Sequence, residues 1–526
     1  MLDEQRNDDI EKQIEREVQQ YAGEEARKLG LVREQWVEPV HDGSSFKAKD
    51  RAHTTLLVSG LTLAHDTLVA AGLRGLGYRV ETLACPENAA LQFGKEFGNR
   101  GQCNPTWFTV GNLVKHLTTL RDEQGIPTAD IIKNYLFVTA GACGPCRFGM
   151  YVTEYRKALR DSGFDGFRVV LFQQQGGLKQ ATGDEVGLAI DQTFMLTIAR
   201  AIIAGDVLNL LAYRTRPYET TEGATDRAVV ECRRILSDAF ENGRAVLPAL
   251  LRCRRAMGRV QLDRSQPKPV VSVIGEFWAM TTEGDGNYEL QRFLEKEGAE
   301  VDIQGVTNWL LFMIWENRHD TLMRMTLKED DGSRKGLQGK DPTKKLWMLK
   351  LADAACRATF QAYANAIGLH GYHLPDLEEV AALSRDHYDN NVRGGEGHME
   401  VGKLIHFVKD RVNHMTISVK PFGCMPSSGV SDGVQTIVQS KYPESLFLPI
   451  ETTGDGKVNV QSRIQMMLFR ARQRAQEEFA AALQQNGLDE AGFKARVAKH
   501  PVWRHGFLRP RHRHAGVASN LVYAVA

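Results

Sequence analysis

Short apolar runs that alternate with helical segments constrain the fold of this chain more than any other feature. In the first such unit, an apolar run ends at Gly60, a helical segment follows, and Gly77 separates that helix from the next run. Strands and helices that alternate at this spacing predict mostly parallel sheets covered on both faces. The predicted fold class is therefore α/β, with two Rossmann-like parallel-sheet domains, a large helical excursion at about 307–412 and an N-terminal helix. The predicted strands are 54–59, 79–83, 135–139, 167–172, 270–274, 300–304, 415–419 and 446–450.

A polar segment with two prolines, at 258–269, marks the boundary between the two predicted domains. Near the N-terminus, Ile10, Ile14, Val18 and Tyr21 recur at helical spacing and predict a charged helix with one thin apolar stripe. Four regions are predicted: a charged helix and linker at 1–50, a first Rossmann-like domain with a helical extension at 51–257, a second Rossmann-like domain at 270–485, and a basic, His- and Arg-rich tail at 486–526. Within the tail, the charged segment 500–514 is interpreted as a solvated extension.

The charge balance and the apolar segments narrow the class of protein. The 526 residues carry 66 Lys and Arg against 65 Asp and Glu, a net charge of +1, which argues against nucleic-acid phosphate as the main partner. The most apolar segment, 188–213, is interrupted by Asp191, Arg200 and Asp206 and predicts a buried helix rather than a membrane span. The N-terminus is charged from its third residue and has no signal-peptide core, so a cytoplasmic location is expected.

The eight cysteines fall into two groups by their neighbours in the sequence. Three of them, Cys232, Cys253 and Cys356, lie in helical patterns and are interpreted as core residues. The other five lie beside Gly or Pro in predicted loops, where thiols are available for chemistry: Cys85, Cys103, Cys143, Cys146 and Cys424.

The motif GACGPCRFG at 141–149 directly follows a predicted strand and precedes a predicted helix. Three interpretations remain open. Cys143 and Cys146 form a CxxC at a helix start, which lowers thiol pKa and suits dithiol redox chemistry. The same thiols could bind an iron–sulfur cluster or zinc. A tight Gly-Pro turn with two inert thiols is the third interpretation.

Two further loops favour a metal cluster over a dithiol. Cys103 lies in a polar turn before a predicted helix, and Cys424 follows the predicted strand 415–419. Ligands of parallel α/β sheets gather outside the carboxyl ends of the strands, so these loops are expected to converge between the two domains. A dithiol needs neither Cys103 nor Cys424, whereas an iron–sulfur cluster needs three or four thiolates. Zinc sites prefer paired CxxC knuckles, and only one pair exists here.

The strings GQCNP, GPCRFGMY and PFGCMP, in this order, resemble the 2-hydroxyacyl-CoA dehydratase subunit family. They resemble more closely the domain that accompanies CoA-type dehydratase activases in long fused proteins. The segments 273–301, 393–404 and 448–467 fit the same pattern, so the similarity spans about residues 54–475.

The resemblance implies two Rossmann-like domains with a [4Fe-4S] cluster between them. Cys103, Cys146 and Cys424 match the cysteines of the family by position, and three thiolates would leave one iron open to another ligand. Cys143 and Cys85 are additions to the family pattern. They keep open a complete four-thiolate cluster and also a double-cubane iron–sulfur cluster.

The resemblance also implies a function. A separate ATP-hydrolysing iron–sulfur activase would supply a low-potential electron. In the dehydratases this electron reduces an acyl-CoA thioester to a ketyl radical that expels a hydroxyl group. No GxxxxGK[ST] phosphate loop appears in this chain, so a partner would have to handle ATP. The expected protein is a radical dehydratase or a reductase component, and the resemblance favours a dimer.

Four polar residues are weaker candidates. Arg147 could pair with the charge of the cluster or with a CoA phosphate. Glu276 ends a predicted strand, while Glu396 and His398 lie in a Gly-rich turn, and each is a candidate acid or base. A helix-cap or turn role is the alternative for these residues. Two other functions also stay open: a thiol–disulfide protein that uses Cys143 and Cys146, and a non-catalytic scaffold subunit with structural or zinc-bound cysteines.

Overall fold

The computed structural model describes residues 46–141, 146–172, 187–325, 341–392, 395–428 and 432–526, together with single residues between 17 and 29 and at 327 and 337. The chain divides into two compact units, Met1–Gly43 and Ser44–Ala526. In the smaller unit, the described residues are helical up to Lys28, as predicted for this region. The stripe positions Ile10 and Ile14 lie outside the described residues.

The larger unit contains two four-stranded parallel sheets with the same strand order. The first sheet has the order β2-β1-β3-β4 and the second β6-β5-β7-β8. This confirms the predicted α/β class with two Rossmann-like parallel sheets. The strands are β1 (Thr55–Val58), β2 (Arg79–Thr82), β3 (Tyr135–Ala140), β4 (Arg168–Phe172), β5 (Val270–Gly275), β6 (Glu300–Ile303), β7 (Met415–Pro421) and β8 (Phe447–Thr452).

Helices connect the strands and cover both sheets, which is why most residues of the central strands β1, β5 and β7 are buried. All six residues of β5 are buried, for example. The helices are α1 (Leu63–Gly75), α2 (Asn88–Phe97), α3 (Asn104–Asp122), α4 (Thr128–Asn134), α5 (Tyr151–Asp161), α6 (Gln192–Thr215), α7 (Ala224–Glu241), α8 (Val246–Met257), α9 (Phe277–Thr281), α10 (Leu290–Lys296), α11 (Val306–Arg324), α12 (Pro342–Ile367), α13 (Leu377–Ser384), α14 (Gly397–Lys409), α15 (Asp432–Lys441), α16 (Lys457–Gln485), α17 (Glu490–Ala498) and α18 (Val517–Val525).

The largest apolar core is helical and joins the two halves of the chain. It contains buried residues of α1, α6, α7 and α8 from the first half and of α12, α16, α17 and α18 from the second. In the described part of the chain, one segment, Gln192–Tyr218, is long and apolar enough to cross a membrane, by length and composition only. Most of its apolar window, 61%, is buried inside the protein, which is common for a core helix and agrees with the predicted buried helix.

The C-terminal segment 500–514, interpreted as a solvated extension, is mostly exposed, but the helix that follows it is buried. Val517, Leu521 and Val522 on α18 are buried in the helical core. The polar stretch before α18 is also held, because the buried guanidinium of Arg264 donates to the Leu508 carbonyl at 2.7 Å. The charged residues of 500–514 therefore lie mainly at the surface, while the apolar face of α18 packs into the core.

Candidate functional site

The predicted cysteine loops lie at equivalent places in the two sheets. All neighbouring strands are parallel, but the direction in which successive strands are added across the sheet reverses between β1 and β3 and between β5 and β7. Ligands of such sheets bind outside the carboxyl ends of the strands at these switch points. Cys146 follows β3 across a segment, 142–145, that the structure does not describe, and Cys424 follows β7 directly. Glu276 follows β5 directly.

The loop of Cys103 contacts the loop of Cys424, so the two halves of the chain meet here. The Asn104 N–H donates to the Phe422 carbonyl at 3.0 Å. Gly423 has φ +77°, and a Cβ at this residue would lie 3.2 Å from the Cys103 Cα. A side chain at Gly423 would therefore press the two loops apart, and glycine permits both the backbone conformation and the close approach.

Cys146 shares its charged neighbours with the other two cysteines. Burial raises the pKa of the Cys146 thiol to about 12, and the negative charges of Glu396, Glu276 and Cys103 act in the same direction. Burial also raises the pKa of Cys424 and Cys103, and Glu276 adds to both shifts. Three thiols and two carboxylates therefore gather in one region, and we call Cys103, Cys146 and Cys424 the cysteine site.

The two carboxylates are held by backbone N–H groups at the start of α9. Glu396 Oε1 accepts the Phe277 N–H at 2.7 Å, and Glu276 Oε2 accepts the Ala279 N–H at 2.8 Å. Burial raises the pKa of Glu276. The pKa of Glu396 is raised well above its usual value by burial and then by the charges of Glu276 and Glu400. Glu276 and Glu396 were predicted from the sequence as acids or bases, whereas Glu400, whose charge acts on Glu396, was not.

Two hydroxyl groups contact the Cys103 sulfur, and neither was predicted from the sequence. Tyr151 Oη lies 3.0 Å from Sγ and Thr106 Oγ1 lies 3.3 Å from it. Thr106 is three residues after Cys103 at the start of α3, so helical spacing could have identified it. Tyr151 is the first residue of α5, and only the tertiary contact between the loops of α3 and α5 brings it to the sulfur.

Cys85 lies in a different environment from the cysteine site. Burial raises the pKa of its thiol to about 12, and the negative charges of Glu283, Asp66 and Asp285 add to this shift. A Cβ on Gly284 would lie 2.9 Å from the Cys85 sulfur. The charged neighbours of Cys85 are thus a different set of carboxylates from Glu276 and Glu396, which act on the cysteine site. Cys143 lies outside the described residues.

Polar atoms without a partner lie beside two of the site cysteines. Arg147 begins the 3₁₀ turn Arg147–Met150 directly after Cys146, and its Nε is buried with no hydrogen-bond partner among the described residues. Asn104 follows Cys103 and is fully buried, and its Oδ1 atom also has no hydrogen-bond partner among the described residues. Buried polar atoms normally have partners, so these two suit a group bound at the cysteine site.

His398 lies in an aromatic cluster near the carboxylates. It is 4% exposed, and its ring lies 4.5 Å from that of Trp315 and 5.1 Å from that of Phe312. Burial lowers the pKa of His398 to about 4, and His319 adds to this shift. Trp315 and Tyr388 also line a cavity of about 460 Å³. Burial raises the pKa of Tyr388 to about 12, and the negative charges of Glu400 and Glu396 add to this shift.

The donor atoms suit a cluster better than a single ion. Within the described ranges, no group of three or more His, Cys, Asp or Glu side chains is arranged to hold one metal ion. A [4Fe-4S] cluster binds each thiolate through a different iron atom, so its ligands stand farther apart than those of one ion. The three thiols of the cysteine site, the hydroxyl groups beside Cys103, and the polar atoms that have no partner among the described residues fit a group of the size of a cluster.

No protein-family model matches this chain, and no curated protein matches it. The resemblance to the dehydratase subunits therefore stays a prediction from the sequence motifs.

Proposed function

We propose that this chain is an iron–sulfur protein of the 2-hydroxyacyl-CoA dehydratase type, which receives low-potential electrons from an ATP-dependent activase. The observation that supports this proposal best is the contact between the loops of Cys103 and Cys424, one from each half of the chain, with Cys146 as a neighbour. A redox dithiol or a structural thiol gives no reason for cysteine loops from both halves of the chain to contact each other.

In this proposal, the three site cysteines hold a [4Fe-4S] cluster, and the cluster supplies one-electron chemistry at low potential when bound. Cys103 is the N-cap residue of α3, a helix of 19 residues, and Cys146 is the N-cap residue of the 3₁₀ turn before α5. Helix N-termini carry partial positive charge, so they stabilise thiolates. Arg147 balances further negative charge or binds an anionic substrate group such as a CoA phosphate.

The carboxyl groups of Glu276 and Glu396 exchange protons at the site. Backbone N–H groups hold Oε2 of Glu276 and Oε1 of Glu396, which fixes the position of both carboxyl groups. Because burial favours the neutral form, each group can retain a proton until a base accepts it. Removal of a hydroxyl group from a substrate needs such a proton donor. The role of His398 in this scheme is to pack beside Glu396 and exclude water.

Anaerobic purification tests the proposal through iron and sulfide analysis, with EPR of the dithionite-reduced protein. We expect about four iron and four sulfide per chain, as for one cubane. Cys103→Ala, Cys146→Ala and Cys424→Ala should each lose iron. Cys356→Ala is the matched control, because Cys356 is a half-buried thiol on α12 whose charged neighbours are Asp353, Arg357 and Asp206.

Other iron contents would change the assignment. About eight iron per chain would indicate a double-cubane cluster and bring Cys85 and Cys143 into the ligand set. A colourless, iron-free protein would contradict the proposal and leave the dithiol and scaffold functions.

A further inference from the structure

We propose that Tyr151, assisted by Thr106, sets the reduction potential of the cysteine site by hydrogen bonds to the Cys103 sulfur. This inference rests on the proposed iron–sulfur function and assigns a positioning role to residues that the motifs did not identify. Its basis is the geometry around one sulfur atom: Tyr151 Oη at 3.0 Å and Thr106 Oγ1 at 3.3 Å.

The tyrosine ring is fixed by its surroundings. Tyr151 is 6% exposed and packs edge-on against Phe148, with ring centroids 5.0 Å apart and an interplanar angle of 88°. Thr106 is 1% exposed and lies on the helix that Cys103 caps, three residues later. Neither hydroxyl can leave the sulfur for water without a change in packing, so both contacts are built into the fold.

A thiolate ligand has no proton, so the hydroxyl is the donor in each hydrogen bond to the Cys103 sulfur when it binds iron. Hydrogen bonds of this kind stabilise negative charge on sulfur. The reduced form of an iron–sulfur cluster carries one more negative charge than the oxidised form, so the two bonds stabilise the reduced form more. Tyr151 and Thr106 therefore raise the reduction potential and make the site easier to reduce.

The other two cysteines have different partners. The Ser427 hydroxyl next to Cys424 donates to Glu400 Oε1 at 3.1 Å, so its one proton is shared with a carboxylate. The hydrogen bond that acts on Cys146 comes from the backbone of Phe148. In the described part of the site, Cys103 is thus the sulfur with two hydroxyl contacts, and we expect side-chain substitutions there to change the potential most.

The chain offers a matched control one helical turn away. Tyr155 lies on α5 four residues after Tyr151, is 3% exposed, and has a hydroxyl that contacts Thr109 and Thr139 rather than a sulfur. Tyr155→Phe therefore removes an equally buried hydroxyl from the same helix without a change at Cys103. A purely structural role of tyrosine hydroxyls would give similar results for both substitutions.

The experiment compares wild-type protein with Tyr151→Phe, Thr106→Val, the double variant and Tyr155→Phe, each purified anaerobically. The readouts are iron content, the midpoint potential from an EPR-monitored titration, and the coupling of an exchangeable proton to the reduced cluster by ENDOR in H₂O and D₂O. We expect equal iron content, a more negative potential in Tyr151→Phe and Thr106→Val, and the largest shift in the double variant. One exchangeable proton coupling should be lost in Tyr151→Phe while the Thr106 coupling remains, and Tyr155→Phe should keep both.

The outcomes separate this inference from the proposed function. Iron-loaded Tyr151→Phe and Thr106→Val with the wild-type potential would overturn the inference alone. Equal shifts in Tyr151→Phe and Tyr155→Phe would also overturn it, because they would indicate a general packing effect. Iron-free wild-type protein would overturn the proposed function and the inference together. If Tyr151→Phe fails to fold, Thr106→Val and the ENDOR signal of the wild-type protein carry the test.

Discussion

Replacement of Asp206 should loosen the junction between the two halves of the chain, because its buried carboxylate caps a helix of the other half. Asp206 lies on α6 and is 2% exposed. Its Oδ1 accepts the Val306 N–H at 2.8 Å, and its Oδ2 accepts both the N–H and the hydroxyl of Thr307 at 2.5 Å. The N-cap residue of α11 is Gly305, which has no side chain to satisfy these donors. The His65 Nε2 lies 3.2 Å from Oδ1 on the other side.

The magnitude follows from the number of groups that would lose a partner. A hydrogen bond to a charged group contributes about 1.5–3 kcal/mol net. Removal of one partner from a buried ionic contact costs about 3–5 kcal/mol, because the other groups stay buried without a partner, so we expect about 4 kcal/mol for Asp206→Ala. Asp206→Asn keeps one acceptor oxygen but turns an NH₂ group toward a donor, and should cost about 2–3 kcal/mol.

Asp191→Ala is the matched control for this prediction. Asp191 is the N-cap residue of α6 itself and accepts the Phe194 N–H at 2.8 Å, at an exposed position. Loss of an exposed cap should cost about 1 kcal/mol. Urea unfolding by circular dichroism measures the global change, and hydrogen exchange of peptides that cover 306–312 measures the local one. The reasoning is refuted if Asp206→Ala costs no more than Asp191→Ala and exchange at the start of α11 is unchanged.

Three further predictions concern other parts of the larger unit. Burial alone would raise the pKa of Glu478, but the hydrogen bond and charge of His414, with backbone and hydroxyl donors, hold it at about 2. Glu478→Gln should therefore cost about 2 kcal/mol at pH 7, and the difference from wild type should shrink as pH falls from about 4.5 towards 2 in urea titrations. Gly275 has φ +133°, and a Cβ there would lie 1.8 Å from the Val419 carbonyl oxygen. Gly275→Ala should therefore lower the free energy of unfolding by about 3 kcal/mol or more, and a loss below about 1 kcal/mol in urea unfolding would contradict this close approach of the two strands. His398→Phe removes a buried nitrogen that has no hydrogen-bond partner among the described residues, and should raise stability by about 1 kcal/mol with unchanged iron content. A loss of iron would instead assign His398 to the cysteine site.

Most strands could be predicted from the sequence because they are short, mainly apolar runs between glycine-bounded helical segments. The predicted run 135–139 corresponds to β3, Tyr135–Ala140, and the run 79–83 corresponds to β2, Arg79–Thr82. The loops of Cys146 and Cys424 were predictable for the same reason, since a loop that follows a strand of a parallel sheet lies at the carboxyl edge of that sheet. The loop of Cys103 follows α2 instead, so its contact with the loop of Cys424 could not be derived from the strands alone.

The parts that sequence analysis missed depend on contacts between distant residues. Tyr151 reaches Cys103 across 48 residues, and Asp206 reaches Thr307 across 101 residues. No local period marks either pair, because each depends on how helices pack rather than on how they form. The same limit explains the C-terminal segment, in which the charges of 500–514 suggested solvent and the apolar face of α18 determines burial.

The geometry of the cysteine site depends on the whole larger unit rather than on the cysteine loops alone. Cys103 and Cys146 belong to the first sheet and Cys424 to the second, and the backbone contact from Asn104 to Phe422 sets their relative position. That contact holds only while the helical core and the Asp206 cap keep the two sheets together. Substitutions at the junction should therefore lower iron content even though no ligand is changed. Asp206→Ala purified below its unfolding range tests this argument, and full iron content in that variant would show that the loops form the site independently of the junction.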